Sequence, residues 1–214
     1  MREELPHGVV DVWSVDLGAD AEDPHVLSPE EIARAERFRD RQDGEHWRRA
    51  RTALRRVLAD YLDADPRMLV FDTASHGKPF LAGPESVPRF NVSHAGTIAL
   101  LAFAREAEVG VDIEVRSRRF DALALARQAF GDAHARTLRD LPPERREEAF
   151  LKTWVRHEAT VKCLGAGLGV PAPDARDVWV TDLEVAPEAV AALAATGGPR
   201  RIRRREYAVA AQSR

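Results

Sequence analysis

Apolar and polar positions alternate along residues 9–15, which predicts an opening β-strand. From Ser28 the period lengthens, and LSPEEIARAERF reads as a helix with Ser28 as N-cap, Pro29 in the first turn and Glu31 closing a capping box. Asp43-Gly44 is expected to interrupt that helix. A second helix over residues 45–62 would place Trp47, Leu54, Val57, Leu58 and Tyr61 on one apolar face and arginines on the others. Short strands follow at 69–72, 80–81, 90–92 and 98–104, divided by Gly and Pro turns. After a further strand at 109–115 come helices over 120–130 and 144–164 and strands over 178–185 and 201–211. This order predicts an α+β protein of two halves of similar size meeting near residue 105.

The strand at 109–115, VGVDIEV, departs from a plain buried pattern. Successive strand residues face opposite ways, so Val109, Val111, Ile113 and Val115 share one side and Gly110, Asp112 and Glu114 the other. Two carboxylates on one face repel, and burying them calls for a positive charge between them, for which a divalent metal ion is the obvious candidate. Removing either acid would then relieve repulsion and leave the fold intact. An ordinary amphipathic strand with its polar side in water fits the same seven residues.

Composition narrows the classes. At 214 residues the chain is long enough for a substantial core. A formal charge of −3, from 32 basic and 35 acidic residues, gives no overall pull towards nucleic acid or membrane. Lys78, Lys152 and Lys162 are the only lysines among many arginines, which draws attention to each. The single cysteine, Cys163, excludes an internal disulfide and suits a reducing cytosol. With no apolar leader and no run of about 20 apolar residues, a soluble cytoplasmic protein is expected.

Three further stretches carry chemistry. HGKPFL at 76–81 presents Lys78 in a turn beside Pro79, where a lysine is commonly just solvated. RFNVSHAG at 89–96 ends a strand in Ser93-His94, whose hydroxyl, imidazole and backbone N–H groups suit a phosphate, although a His packed beside a turn reads the same way. In the helix FLKTWVRHEATVKCLGAGLG at 150–169, Trp154, Glu158, Val161 and Lys162 fall along one side. Glu158 and Lys162 fit a surface i,i+4 pair, or a third metal carboxylate with a cation one turn on.

Together, GKP at 77–79, FNVSHAG at 90–96, VGVDIE at 109–114 and W-x-x-x-E-A-x-x-K at 154–162 occur in the order and spacing of the 4′-phosphopantetheinyl transferases. The chain resembles the monomeric, two-lobed type of that family (the surfactin-synthetase-activating type), from about residue 28 to at least 169. The resemblance implies two αβ lobes related by a pseudo-twofold, each a small sheet packed by a long helix, with residues 1–104 binding coenzyme A and 105–214 carrying the metal site and the carrier-protein docking surface.

It further implies a Mg²⁺-dependent enzyme of the holo-acyl-carrier-protein synthase type. Such an enzyme moves the phosphopantetheine arm of coenzyme A to a serine of an apo acyl or peptidyl carrier protein and releases adenosine 3′,5′-bisphosphate. On this resemblance Asp112, Glu114 and Glu158 hold Mg²⁺. Glu158, Lys162, His94 and Asp112 are the catalytic group, with Glu158 taking the serine proton and Lys162 assisting the departing phosphate. Lys78, Pro79, Ser93, His94 and Lys162 contact coenzyme A, joined by Arg51 and Arg41 from the first lobe. A monomer with no nucleic-acid or membrane partner is implied. An acidic carrier is expected to dock near Leu164 and Leu168, rimmed by Arg156.

The family pattern is broken at three histidines. His157 stands where most members have lysine, His46 where arginine is common, and His134 near a position often acidic. His157 is expected to serve as a titratable cation near the substrate phosphates, with its pKa raised by them and by Glu158. Two rival readings are a binding module using the arginine-rich helix at 45–62, disfavoured by net negative charge, and a Mg²⁺-dependent phosphodiesterase with a similar acid cluster.

Overall fold

The computed structural model describes residues 4–18, 24–74, 77–83, 88–116, 120–166 and 175–208. Within them the chain runs β1 (Val9–Asp16), α1 (Pro29–Glu36), α2 (Arg41–Leu62), β2 (Phe71–Thr73), β3 (Pro79–Leu81), β4 (Arg89–Ala95), β5 (Ile98–Ala104) and β6 (Val109–Val115). It continues through α3 (Ala122–Arg139), α4 (Pro143–Leu164), β7 (Val178–Leu183), β8 (Ala189–Thr196) and β9 (Arg201–Tyr207). The α+β expectation is met.

Alternation along the strands builds four layers. Trp13, Val15, Phe90, Leu101 and Phe103 turn one face of a sheet ordered β4-β5-β1-β9 onto Leu54, Val57, Leu58 and Tyr61 of α2. The opposite residues, Val10, Val12, Leu100 and Ala102, pack on Val109, Val111, Ile113 and Leu193 of a second sheet, ordered β6-β8-β7. That sheet's outer face, with Val190, Ala192 and Ala194, meets Phe150, Leu151, Val155 and Ala159 of α4 and the smaller α3. The order is therefore helix, sheet, sheet, helix. The last strand, β9, pairs in parallel with β1, so the chain returns from the second half to the edge of the first sheet.

Several boundaries differ from those expected. Asp43-Gly44 does not break a helix: α2 already begins at Arg41, with the Asp40 side chain accepting from Gln42 N at 2.7 Å. Gly44 is needed for packing instead, because a Cβ there would lie 2.6 Å from Ala35 O of α1. Within α3 the helix expected over 120–130 does stop there, because Gly131 at φ 83° and ψ 175° is non-helical; the second helical segment, running on to Arg139, was not anticipated. The strand β8 was not anticipated. Its sequence AVAALAAT has the best helix former at most positions and no polar alternation, yet it is the buried centre of the second sheet.

The junction between β6 and α4 sets the site. A Cβ on Gly110 would fall 2.0 Å from Ala159 O and 2.4 Å from Cys163 N, so the α4 backbone lies directly on β6. Glu158 and Lys162, each one residue before those contacts, are thereby carried beside Asp112 and Glu114, which share Gly110's face. We expect Gly110→Ala to lower Tm by about 6–12 °C, corresponding to a loss of ~3 kcal/mol from backbone overlap. Thermal unfolding checks this, and an unchanged Tm would mean that α4 does not rest on the strand.

Candidate active site

The edge strand β4 is held to β6 by a side chain: Asn91 Oδ1 accepts from Val111 N at 2.9 Å, in the interior. Two residues on, Ser93 Oγ donates to Asp112 Oδ1 at 2.9 Å. Lys162 Nζ reaches down from α4 to donate to Ser93 Oγ at 3.0 Å and to form an ion pair with the same Asp112 oxygen. Three elements thus converge on one carboxylate. Asp112 is only 4% exposed, and its second oxygen, Oδ2, is buried with no hydrogen-bond partner among the described residues. A buried carboxylate oxygen left unpaired is costly and marks a place where something else binds.

The neighbouring acids carry the same signal. Burial and then the charge of Asp112 push the Glu114 carboxyl up, opposed by a hydrogen bond from Trp154. Glu158, also buried, is pushed up by desolvation first and Asp112 second, with Lys162 opposing. These three carboxylates repel one another across a space containing one ammonium. Among the described residues no three acidic, His or Cys side chains are already gathered as a complete ligand set, and Lys162 holds one oxygen of Asp112. The donors nevertheless fit Mg²⁺: all are carboxylate oxygens, one is orphaned, and the local excess of negative charge wants a second cation.

The remaining expected residues are distributed around this cluster. His94, at the end of β4, has its pKa lowered by desolvation and then by His46 and Lys162, partly offset by Asp43. The first turns of α2 therefore lie near His94. Pro79 and the stem of Lys78 line a cleft of about 510 Å³ together with Phe80, Phe90, Cys163 and Leu164. Arg51 is engaged elsewhere: its guanidinium pairs with Glu31 and lies 3.6 Å over the Phe71 ring. Arg41 makes an exposed i,i+4 pair with Glu45 at 2.9 Å. At the expected docking rim Arg156 is paired with Asp182 at 2.6 Å, and Leu168 lies outside the described residues.

The sequence did not signal two supporting groups. Asn91 is buried in a strand that also carries Arg89, Ser93 and His94, and its partner, Val111 N, lies on a different strand. Trp154 was visible on the helix face, but its bond to Glu114 requires knowing how α4 lies on β6.

The expectation for His157 is overturned. Its ring packs edge-on to Phe130 at 5.3 Å and lies 6.4 Å from Trp154, in the aromatic cluster between α3 and α4. Desolvation there lowers its pKa rather than raising it. A histidine whose folded pKa is depressed contributes full stability above its unfolded value of about 6.5 and loses it as pH falls below that. We therefore expect wild type and His157→Phe to show superimposable activity–pH profiles between pH 6.5 and 8, while the variant keeps more of its Tm at pH 5. Divergent profiles above pH 6.5 would restore a role for His157 as a cation.

Comparison with known proteins places this geometry. Residues 108–211 match the model of the 4′-phosphopantetheinyl transferase superfamily, and residues 21–106 match that of the 4′-phosphopantetheinyl transferase N-terminal region. The chain is similar to the 4′-phosphopantetheinyl transferase HetI of Nostoc sp., 35% identical over 145 residues that make up 67% of this chain and 61% of HetI. It is also similar to the L-aminoadipate-semialdehyde dehydrogenase-phosphopantetheinyl transferase of Xenopus laevis, 30% identical over 67% of this chain and 51% of the relative. The transferase AcpT of Escherichia coli O157:H7 is 34% identical over 52% of this chain and 55% of its own length. The matched segment thus spans between half and three-fifths of these relatives. Among the described residues no helix is long and apolar enough to cross a membrane.

Proposed function

Since this chain belongs to the 4′-phosphopantetheinyl transferase superfamily, we propose that it transfers the 4′-phosphopantetheine arm of coenzyme A to a serine of an apo carrier protein, releasing adenosine 3′,5′-bisphosphate. The observation that carries this reading is the Ser93–Asp112–Lys162 contact between the two halves, with Glu114 and Glu158 crowded against it. Phosphoryl transfer requires charge neutralisation and in-line placement more than covalent help from the protein. Asp112, Glu114 and Glu158 would hold a Mg²⁺ ion, which supplies charge neutralisation for the pyrophosphate and lowers the pKa of both glutamates when bound.

The chain's own groups divide the remaining work. The carrier serine oxygen forms a bond to the phosphorus that bears the pantetheine arm, and the bond from that phosphorus to the adenosine-side phosphate oxygen breaks. Glu158 accepts the serine proton, directly or through one water. Lys162 moves an N–H from Asp112 to the departing oxygen. Ser93 and His94 contact the nucleotide phosphates, and Pro79 shapes the cleft for the base. We further assign residues 1–104 to coenzyme A and 105–214 to the metal and the carrier, in a chain acting as a monomer. The test is chromatographic: adenosine 3′,5′-bisphosphate should be released only when coenzyme A, Mg²⁺ and an apo carrier with an intact serine are all present. Release without carrier would favour a phosphodiesterase.

A further inference from the structure

Lys78 is tied up in a way that phosphate binding does not explain. Its Nζ lies 3.1 Å from Glu108 Oε2, 3.2 Å from Val109 O and 3.3 Å from Cys163 O. An ammonium has three donors, and three protein oxygens take them all. Its side chain is only 16% exposed. Each acceptor has structural meaning. Val109 opens β6, three residues before Asp112, and Cys163 follows Lys162 in the last turn of α4. Gly165 and Ala166 N–H groups already cap Lys162 O and Val161 O, and Lys78 takes the Cys163 carbonyl at the negative end of the helix.

The donor comes from a different body of structure. Lys78 precedes β3 in the β2–β3 ribbon, which joins neither larger sheet. The ribbon's turn fixes the Lys78 backbone through Ala74 N to Lys78 O at 2.9 Å and Gly77 N to Ala74 O at 2.8 Å. A single ammonium therefore links the first half's ribbon to the two elements that place Asp112 and Lys162.

We propose that Lys78 is a positioning residue: it straps the β2–β3 ribbon to the start of β6 and the end of α4, fixing Lys162 against Asp112, and does not itself ligate the substrate phosphates. This rests on the transferase reading above. A double-mutant cycle of Lys78→Met and Glu108→Gln tests it, read by amide hydrogen exchange, by calorimetric binding of adenosine 3′,5′-bisphosphate, and by kcat and KM for coenzyme A. The strap predicts that Lys78→Met speeds exchange at residues 162–166 and in the ribbon together. It also predicts a kcat lowered about tenfold and a nucleotide Kd changed by less than about threefold. Glu108→Gln should act in the same direction, the double variant should be no worse than Lys78→Met, and Lys78→Arg should recover part of kcat.

A nucleotide Kd weakened about tenfold or more with exchange unchanged would overturn the proposal in favour of a phosphate ligand. Should Lys78→Met not fold, the Glu108→Gln and Lys78→Arg variants decide by the same exchange readout. Wild-type protein that transfers nothing to any carrier would refute the transferase reading, while the exchange pattern would still judge the strap.

Discussion

Asp112→Asn should lower kcat/KM for carrier modification by about a thousandfold, ~4 kcal/mol of transition-state stabilisation at 1.36 kcal/mol per factor of ten. Asp112 is the carboxylate on which Ser93 and Lys162 converge, and its Oδ2 has no partner among the described residues. An amide keeps the shape but removes the charge that would hold a divalent cation. The loss should appear in kcat more than in KM for coenzyme A. Stability should not rise, contrary to the expectation from carboxylate repulsion alone, because Lys162 already neutralises Asp112 and would lose its ion-pair partner. A variant retaining more than about a tenth of wild-type kcat/KM would contradict the assignment.

Glu158→Gln should be as inactive, yet behave in the opposite way towards stability. Its carboxyl is pushed up by burial and by Asp112, so ionising it at neutral pH disfavours the folded state. For an acid with a raised folded pKa the deficit is absent below the unfolded value near 4.5, grows as pH rises through the folded pKa, and then stays constant. In metal-free buffer the variant should melt higher than wild type by a few degrees at pH 7, and the two should converge near pH 4. Added Mg²⁺ should narrow the gap at pH 7 by stabilising wild type more. A Glu158→Gln protein that melts lower than wild type at pH 7 without metal would show that the carboxylate is not under strain.

The parts of this account legible in the sequence are those governed by short periodicities. A two-residue period put Asp112 and Glu114 on one face with Gly110, and that face does meet α4. A four-residue spacing put Glu158 and Lys162 together, and the capping box at Ser28 and Glu31 forms as read. What escaped depends on tertiary context. The alanine-rich β8 has a helical composition, and only burial between two layers makes small residues suitable for a strand at the centre of its sheet. Gly44 and Gly110 look alike as helix or strand breakers, but both are sites where a neighbouring backbone approaches too closely for a Cβ.

The site divides along the same line. Ser93, Asp112 and Lys162 meet as their order in the chain suggested, because each lies on a regular element whose face is set by its period. His157 escaped, since one position along a helix decides between the cluster and the aromatic packing around Phe130. The protein partners of Arg51 and Lys78 were not legible either, because Glu31 and Phe71 in one case, and Glu108 and two carbonyls in the other, come from distant segments that no local pattern encodes.

The most direct test is the intact mass of an apo carrier protein after incubation with this protein, coenzyme A and Mg²⁺, set beside the same reaction with Asp112→Asn. The account predicts conversion of the carrier to its phosphopantetheinylated form by wild type, abolished by chelation and by the substitution. An unmodified carrier across a panel of acyl and peptidyl carrier proteins, or equal conversion by Asp112→Asn, would contradict it.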